Sequence, residues 1–215
     1  MVKVTYYLDV VSSWCHYVEP VWDFLKEEYA DEVTFDWRIA LIPSEGLPES
    51  TFEEDGYYRR SGVITRQTQM LNSAWVDPTL KEYLAPNVVA VAAKELGFKG
   101  DEVRRAIAHA AMIEGKQVGQ FEVSAEVAAQ ASGLDKEDIL ALSQSELVEE
   151  EVRGDTRAFN SFGINQRPAF HLVSEIQDQA IFSGIIHLGP LQATLEAMIE
   201  DVTAYRSWDA HFGQQ

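Results

Sequence analysis

The stretch Ser12-Ser13-Trp14-Cys15 decides how this chain is read. An apolar, β-branched run, Val2-Lys3-Val4-Thr5-Tyr6-Tyr7-Leu8, precedes it and predicts a strand. Trp14, Val18, Val21, Trp22 and Leu25 follow at helical spacing and predict a helix from about Ser13 to Glu28, with Pro20 placed to kink it. A strand-to-helix junction carrying Cys-x-x-Cys is a redox site in which the first thiolate attacks and the second resolves. Here the first cysteine is a serine. Cys15 is the only cysteine in the chain, so no intramolecular disulfide can form.

Val33-Thr34-Phe35-Asp36-Trp37-Arg38-Ile39 alternates apolar and polar residues and predicts a second strand. Strand, helix and strand together favour a parallel pair with a right-handed crossover. Residues 43–78, rich in Pro, Gly, Ser and acidic residues, read as a long irregular connection or lid. Tyr57, Tyr58, Arg59, Arg60 and Arg66 could line a pocket from it. Helical stripes follow: Leu80, Leu84, Val88, Val91 and Leu96; then Val103, Ile107 and Ala110; then Val123, Val127 and Ala131, closed by Gly133. Asp135 can cap a fourth helix through Ile139 and Leu142, and Val148, Val152, Asp155, Phe159 and Phe162 mark a fifth. Residues 169–173 and 179–183 flank a polar turn and predict a hairpin. Gly189-Pro190 starts a last helix with the stripe Leu191, Leu195, Met198, Val202 and Tyr205. The order β-α-β, helical insert, β-β-α predicts an α/β thioredoxin fold with an all-helical insertion between its second and third strands. Residues 1–78 and 156–215 would form the thioredoxin-like domain and 79–155 the insertion.

The 215 residues, 46% of them hydrophobic, suffice for one sizeable core. A single cysteine argues against a disulfide-stapled secreted domain and for a reducing compartment, so a cytoplasmic location is expected. The first residues show no basic segment followed by an apolar one, so no signal peptide is expected, and no apolar run reaches the ~20 residues of a membrane span. A net charge of −18 disfavours nucleic acid and anionic membranes as partners. The histidines show no metal-ligand spacing, so no metal is expected.

The chain resembles the DsbA superfamily, in the branch that holds FrnE-like thiol oxidoreductases, 2-hydroxychromene-2-carboxylate isomerases and kappa-class glutathione transferases. Four stretches carry the resemblance: residues 7–15, similar to the branch's strand end and C-P-W-C or S-P-Y-S site; Trp37-Arg38-Ile39; residues 162–170, similar to its G-V-x-G-V-P-x-F loop; and Ile181-Phe182-Ser183-Gly184. The resemblance implies a cis Arg167–Pro168 bond facing Ser12, where the backbone of residue 167 can pair with an extended ligand. The departures are informative. Serine at position 12 is the choice of the isomerases and transferases, whereas Cys15 matches the oxidoreductases' second cysteine. Arg167 replaces a small apolar residue, and Gly184-Ile185-Ile186-His187 replaces the kappa class's Ser-Asp-Arg-type turn.

Candidate catalytic residues are therefore Ser12 and Cys15, with Ser13, Trp14, His16, Arg167 and Pro168 for binding substrate or thiol. A hydroxyl at a helix N-terminus can donate to a thiolate arriving from outside, and glutathione is the expected cosubstrate. Ser12 could equally do no more than cap the helix. Serine as nucleophile needs an adjacent base, and His16 lies just beyond Cys15. Cys15 should face inwards, as a buried inert thiol or as a reactive single thiol. Arg167 would place a positive charge near a thiolate, or form a surface salt bridge. Three functions remain open: an enzyme using an external thiol and a small organic substrate for transfer or isomerisation, a monothiol oxidoreductase acting through Cys15, or a non-catalytic binder of an extended peptide. A homodimer is compatible with each.

Overall fold

In a computed structural model, described for residues 1–213, the sheet is built first from β1 (Val2–Leu8) and β2 (Val33–Ile39), joined by α1 (Ser13–Glu28). β1 and β2 are parallel, with Val2 opposite Val33 and Leu8 opposite Ile39. β3 (Ala169–Ser174) runs antiparallel on the other side of β1, and β4 (Gln179–Ser183) pairs antiparallel with β3, giving the order β2-β1-β3-β4. β1 is central and buried on both faces at all positions but Lys3, which explains its nearly continuous run of apolar residues. Tyr6 is the hub of the sheet's core: it stacks on Phe170 at 4.9 Å and lies 5.2 Å from the Trp22 ring of α1, which in turn meets Phe35 edge-on at 5.4 Å.

Between β2 and β3 lie α2 (Thr51–Thr65), α3 (Leu84–Glu95), α4 (Glu102–Met112), α5 (Phe121–Ser132), α6 (Lys136–Ser143) and α7 (Glu146–Ser161). Every residue of α3 from Ala85 to Ala93 is buried, so the helix is apolar all round, and α4, α5, α6 and α7 all pack on it. α7 runs unbroken through residue 155, where the sequence suggests a domain boundary, and packs on β2 as well as on α3.

Three expectations need correction. The 43–78 segment is not an irregular connection: α2 occupies its middle, capped by the Ser50 hydroxyl accepting Glu53 N–H at 3.2 Å. Leu80 lies in a turn ahead of α3 rather than on it. α8 (Leu188–Phe212) buries Leu191, Leu195, Met198 and Val202, but from Thr203 onward it is exposed throughout, so Tyr205 leaves the expected stripe.

α1 is bound to α4 by an ionic cluster. Arg104, 3% exposed, donates to Glu19 of α1 and to Asp101 at 2.9 Å. Asp101 also accepts from Trp22 Nε1 at 3.0 Å and from Lys26 at 2.6 Å. Burial alone would raise the Asp101 carboxyl; Arg104 and Lys26 outweigh it and hold the group below the ordinary carboxylate range.

Candidate active site

β1 ends at Leu8, and the backbone of Asp9-Val10-Val11 must carry the chain to the start of α1. Asp9 is buried and fixes this loop: one carboxylate oxygen accepts Val11 N–H at 3.0 Å and the Asn87 amide at 3.2 Å, the other accepts Ile42 N–H at 2.9 Å. Asn87, on α3 and fully buried, returns its carbonyl to Val10 N–H at 3.1 Å and donates to the Tyr83 carbonyl at 2.9 Å. Burial raises the Asp9 carboxyl, and these three donors oppose the shift.

Ser12 is the N-cap of α1: its Oγ accepts Cys15 N–H at 3.4 Å, and its carbonyl takes the first helical bond from His16 at 2.9 Å. The Ser13 and Trp14 amides have no backbone partner among the described residues, which leaves the positive end of the helix open to an anion. Ser12, Ser13 and Trp14 line a cleft of about 450 Å³. Its other walls are Pro43, Glu45 and Leu47 ahead of α2, Glu54, Tyr57 and Arg60 on α2, Trp75, and Asn165-Gln166-Arg167.

The Arg167–Pro168 bond is cis, and Pro168 is buried behind the cleft. The backbone N–H and C=O of Arg167 make no hydrogen bond among the described residues, whereas the neighbouring carbonyls of Gln166 and Pro168 accept from Ser183 and Gly184. The Arg167 side chain forms no salt bridge among the described residues. It donates to the carbonyls of Ala40 at 2.6 Å, Asn165 at 3.2 Å and Leu41, and lies 4.5 Å from the Phe159 ring centroid. Desolvation lowers its pKa, with Asp9 opposing.

Cys15 lies under Ser12, whose hydroxyl hydrogen-bonds its thiol, and His16 faces elsewhere. Both contribute to the lining of a separate cleft of about 700 Å³ between α1 and α4, with Tyr17, Glu19, Arg104 and His109; among the described residues none lines both clefts. His16 is therefore not at the mouth of the Ser12 cleft. Cys15 is 3% exposed, and burial pushes its thiol up to about 11 although the Ser12 and Tyr6 hydroxyls and the Asp9 backbone favour the thiolate. Of the lid residues, Tyr57 and Arg60 line the Ser12 cleft; Tyr58 is buried, and Arg59 and Arg66 are exposed outside it. Sequence reasoning missed Asp9, Glu54, Trp75 and Asn87. Only Asp9, a lone acid at the end of a buried strand, carries a local signal.

A central strand running into a capped helix N-terminus, with a cis-proline loop lining the same cleft, is the arrangement of a thioredoxin-type fold. The chain belongs to the DSBA-like thioredoxin domain family, whose model matches residues 3–195. It is similar in fold to a candidate protein disulfide isomerase of Nitrosomonas europaea (TM-score 0.75, 18% identity, 93% of this chain and 98% of that one). It is likewise similar to the cytosolic disulfide reductase DsbM of Pseudomonas aeruginosa with GSH (0.70, 17%, 92% and 99%) and to reduced DsbA1 of Neisseria meningitidis (0.61, 12%, 96% and 86%). A comparison with curated protein sequences finds no match. No helix among the described residues is long and apolar enough to cross a membrane, and no group of three or more His, Cys, Asp or Glu among them is placed to hold a metal.

Proposed function

We propose that this chain is an enzyme that binds an external thiol, glutathione, with its sulfur at Ser12, and uses it on a small organic substrate in the same cleft. The observation that carries this reading is the contrast between the two site residues. Ser12 and the open amides of α1 line an accessible cleft, while the Cys15 thiol beneath Ser12 is buried and raised to about 11. The Ser12 hydroxyl would donate to the thiolate and the helix N-terminus would stabilise its charge. The free backbone pair of Arg167 would align the extended backbone of the thiol. The thiolate would then add to an electrophile or catalyse an isomerisation, the chemistry of the isomerase and transferase branch that the sequence resembles. The fold-level similarity to a disulfide reductase with GSH is compatible with that thiol. A cytoplasmic location follows from the need for a reduced thiol pool.

The test is a titration of reduced glutathione followed by tryptophan fluorescence, since Trp14 and Trp75 both line the cleft. A charge-assisted bond of about 1.5–3 kcal/mol predicts that Ser12→Ala weakens binding roughly 10- to 100-fold. No saturable binding up to millimolar glutathione would reject the reading. A monothiol cycle at Cys15 or a peptide-binding role along Arg167 would then take its place.

A further inference from the structure

Glu54 is a carboxylate in the wall of the Ser12 cleft, 5% exposed, and the thiol-binding reading leaves it without a task. Acidic side chains this deeply buried are normally paired with a cation. Glu54 forms no salt bridge among the described residues, and the charges that bear on it are Glu53 and Asp55 of its own helix, both acidic. Its one polar support is Tyr58. That hydroxyl accepts Trp75 Nε1–H at 2.6 Å and so turns its own proton towards Glu54. The other titratable groups around this wall are Glu45 ahead of α2, Tyr57 and Arg60 on α2, Tyr17 on α1, Tyr83 ahead of α3, and Arg167 across the cleft. The two arginines are engaged elsewhere, Arg60 over the Tyr57 ring at 5.3 Å and Arg167 with backbone carbonyls. Burial without a cation raises the Glu54 carboxyl to about 7, where it can both take and return a proton near neutrality.

We propose that Glu54 is the proton acceptor for the thiol that docks at Ser12. This rests on the thiol-binding reading above. The S–H proton passes to the Glu54 carboxylate, leaving a thiolate at the α1 N-terminus and a neutral carboxyl. The cleft's net charge is unchanged; the negative charge has moved from oxygen to sulfur. When the thiolate adds to an activated double bond, its electron pair forms the S–C bond. The double bond's pair becomes a carbanion, and Glu54 returns the proton to it, regenerating the carboxylate.

The experiment is a titration of reduced glutathione at pH 8 in weak buffer, with thiolate absorbance and proton release recorded together. In the wild-type protein the thiolate's negative charge raises the neighbouring Glu54 carboxyl further, so at pH 8 thiolate should form with much less than one proton released. In Glu54→Gln, each thiolate formed should release close to one proton to solvent. Equal proton release from the two proteins overturns the role of Glu54 while leaving thiol binding intact. No saturable signal in either overturns thiol binding itself and the role with it. A second readout needs no variant: the infrared band of a protonated carboxyl should grow when glutathione is added to wild-type protein, and its absence overturns the proposal.

Discussion

Replacing Asn87 with leucine removes the link between the helical insertion and the active-site loop. Asn87 makes three hydrogen bonds, to Val10 N–H, the Asp9 carboxylate and the Tyr83 carbonyl, at a fully buried position. Leucine is close in volume, so the loss is one of partners rather than packing. Val10 N–H and the Tyr83 carbonyl would each be left buried and unsatisfied at about 1–3 kcal/mol apiece, while Asp9 keeps two of its three donors. The expected destabilisation is about 3–5 kcal/mol, or roughly 10 °C in Tm for a chain of this size. The effect also has a sign in pH. Burial raises the Asp9 carboxyl in the folded state, so the folded protein binds that proton more tightly than the unfolded one. Stability therefore falls as pH rises from the ordinary carboxylate pKa through the folded value. Losing the Asn87 donor raises the folded value further, so the variant's deficit should be larger at pH 8 than at pH 4. Urea unfolding at both pH values measures it. A deficit under about 1 kcal/mol, or one larger at pH 4, would refute this account of the loop.

Two further outcomes are expected. Cys15, raised to about 11, is ionised only to about one part in a thousand at pH 8, so iodoacetamide should label it far more slowly than free glutathione, and quickly once urea unfolds the chain; comparable rates in the folded protein would contradict its burial. Arg104→Met should cost about 1.5–3 kcal/mol at pH 7, because Glu19 and Asp101 lose their most buried cation while Arg105 and Lys26 stay in place. The folded Asp101 carboxyl is held low, so its contribution is present above the unfolded pKa and lost as pH falls through the folded value. The gap between wild type and variant should therefore hold at pH 5 and narrow only below the ordinary carboxylate pKa, and urea midpoints that keep the same gap at pH 3 would argue against the cluster.

What could be read from the sequence was what local pattern encodes. β1, α1, β2 and the β3–β4 hairpin announce themselves because burial and periodicity agree, and the Ser50 cap was as regular as any other. α2 was missed because its buried face is built from Glu54, Tyr58, Ser61 and Gly62, which carry no apolar stripe. Gly56 and Gly62 made the segment look like a loop, although Gly62 is buried in a helix that packs on α1. The Asp9–Asn87 clamp joins residues 78 positions apart, so no window along the chain contains it. Arg104 carries no mark of its burial in the sequence; α4 turns it inwards onto Glu19. The site motif located Ser12 and Cys15, but their spacing alone could not show that the serine opens on a cleft while the thiol beneath it is sealed.

That last arrangement bears on how the protein could be probed or inhibited. Cysteine-directed reagents are the natural first choice for a relative of redox enzymes, and here they would mislead. Cys15 is buried at 3% exposure under Ser12, so a warhead would reach it only when the packing around α1 opens. Labelling stoichiometry would then not count active sites, and protection from labelling by a ligand would not show that the ligand occupies the Ser12 cleft. A chemical handle for that cleft has to engage something on its own wall, such as the Tyr57 phenol at its rim.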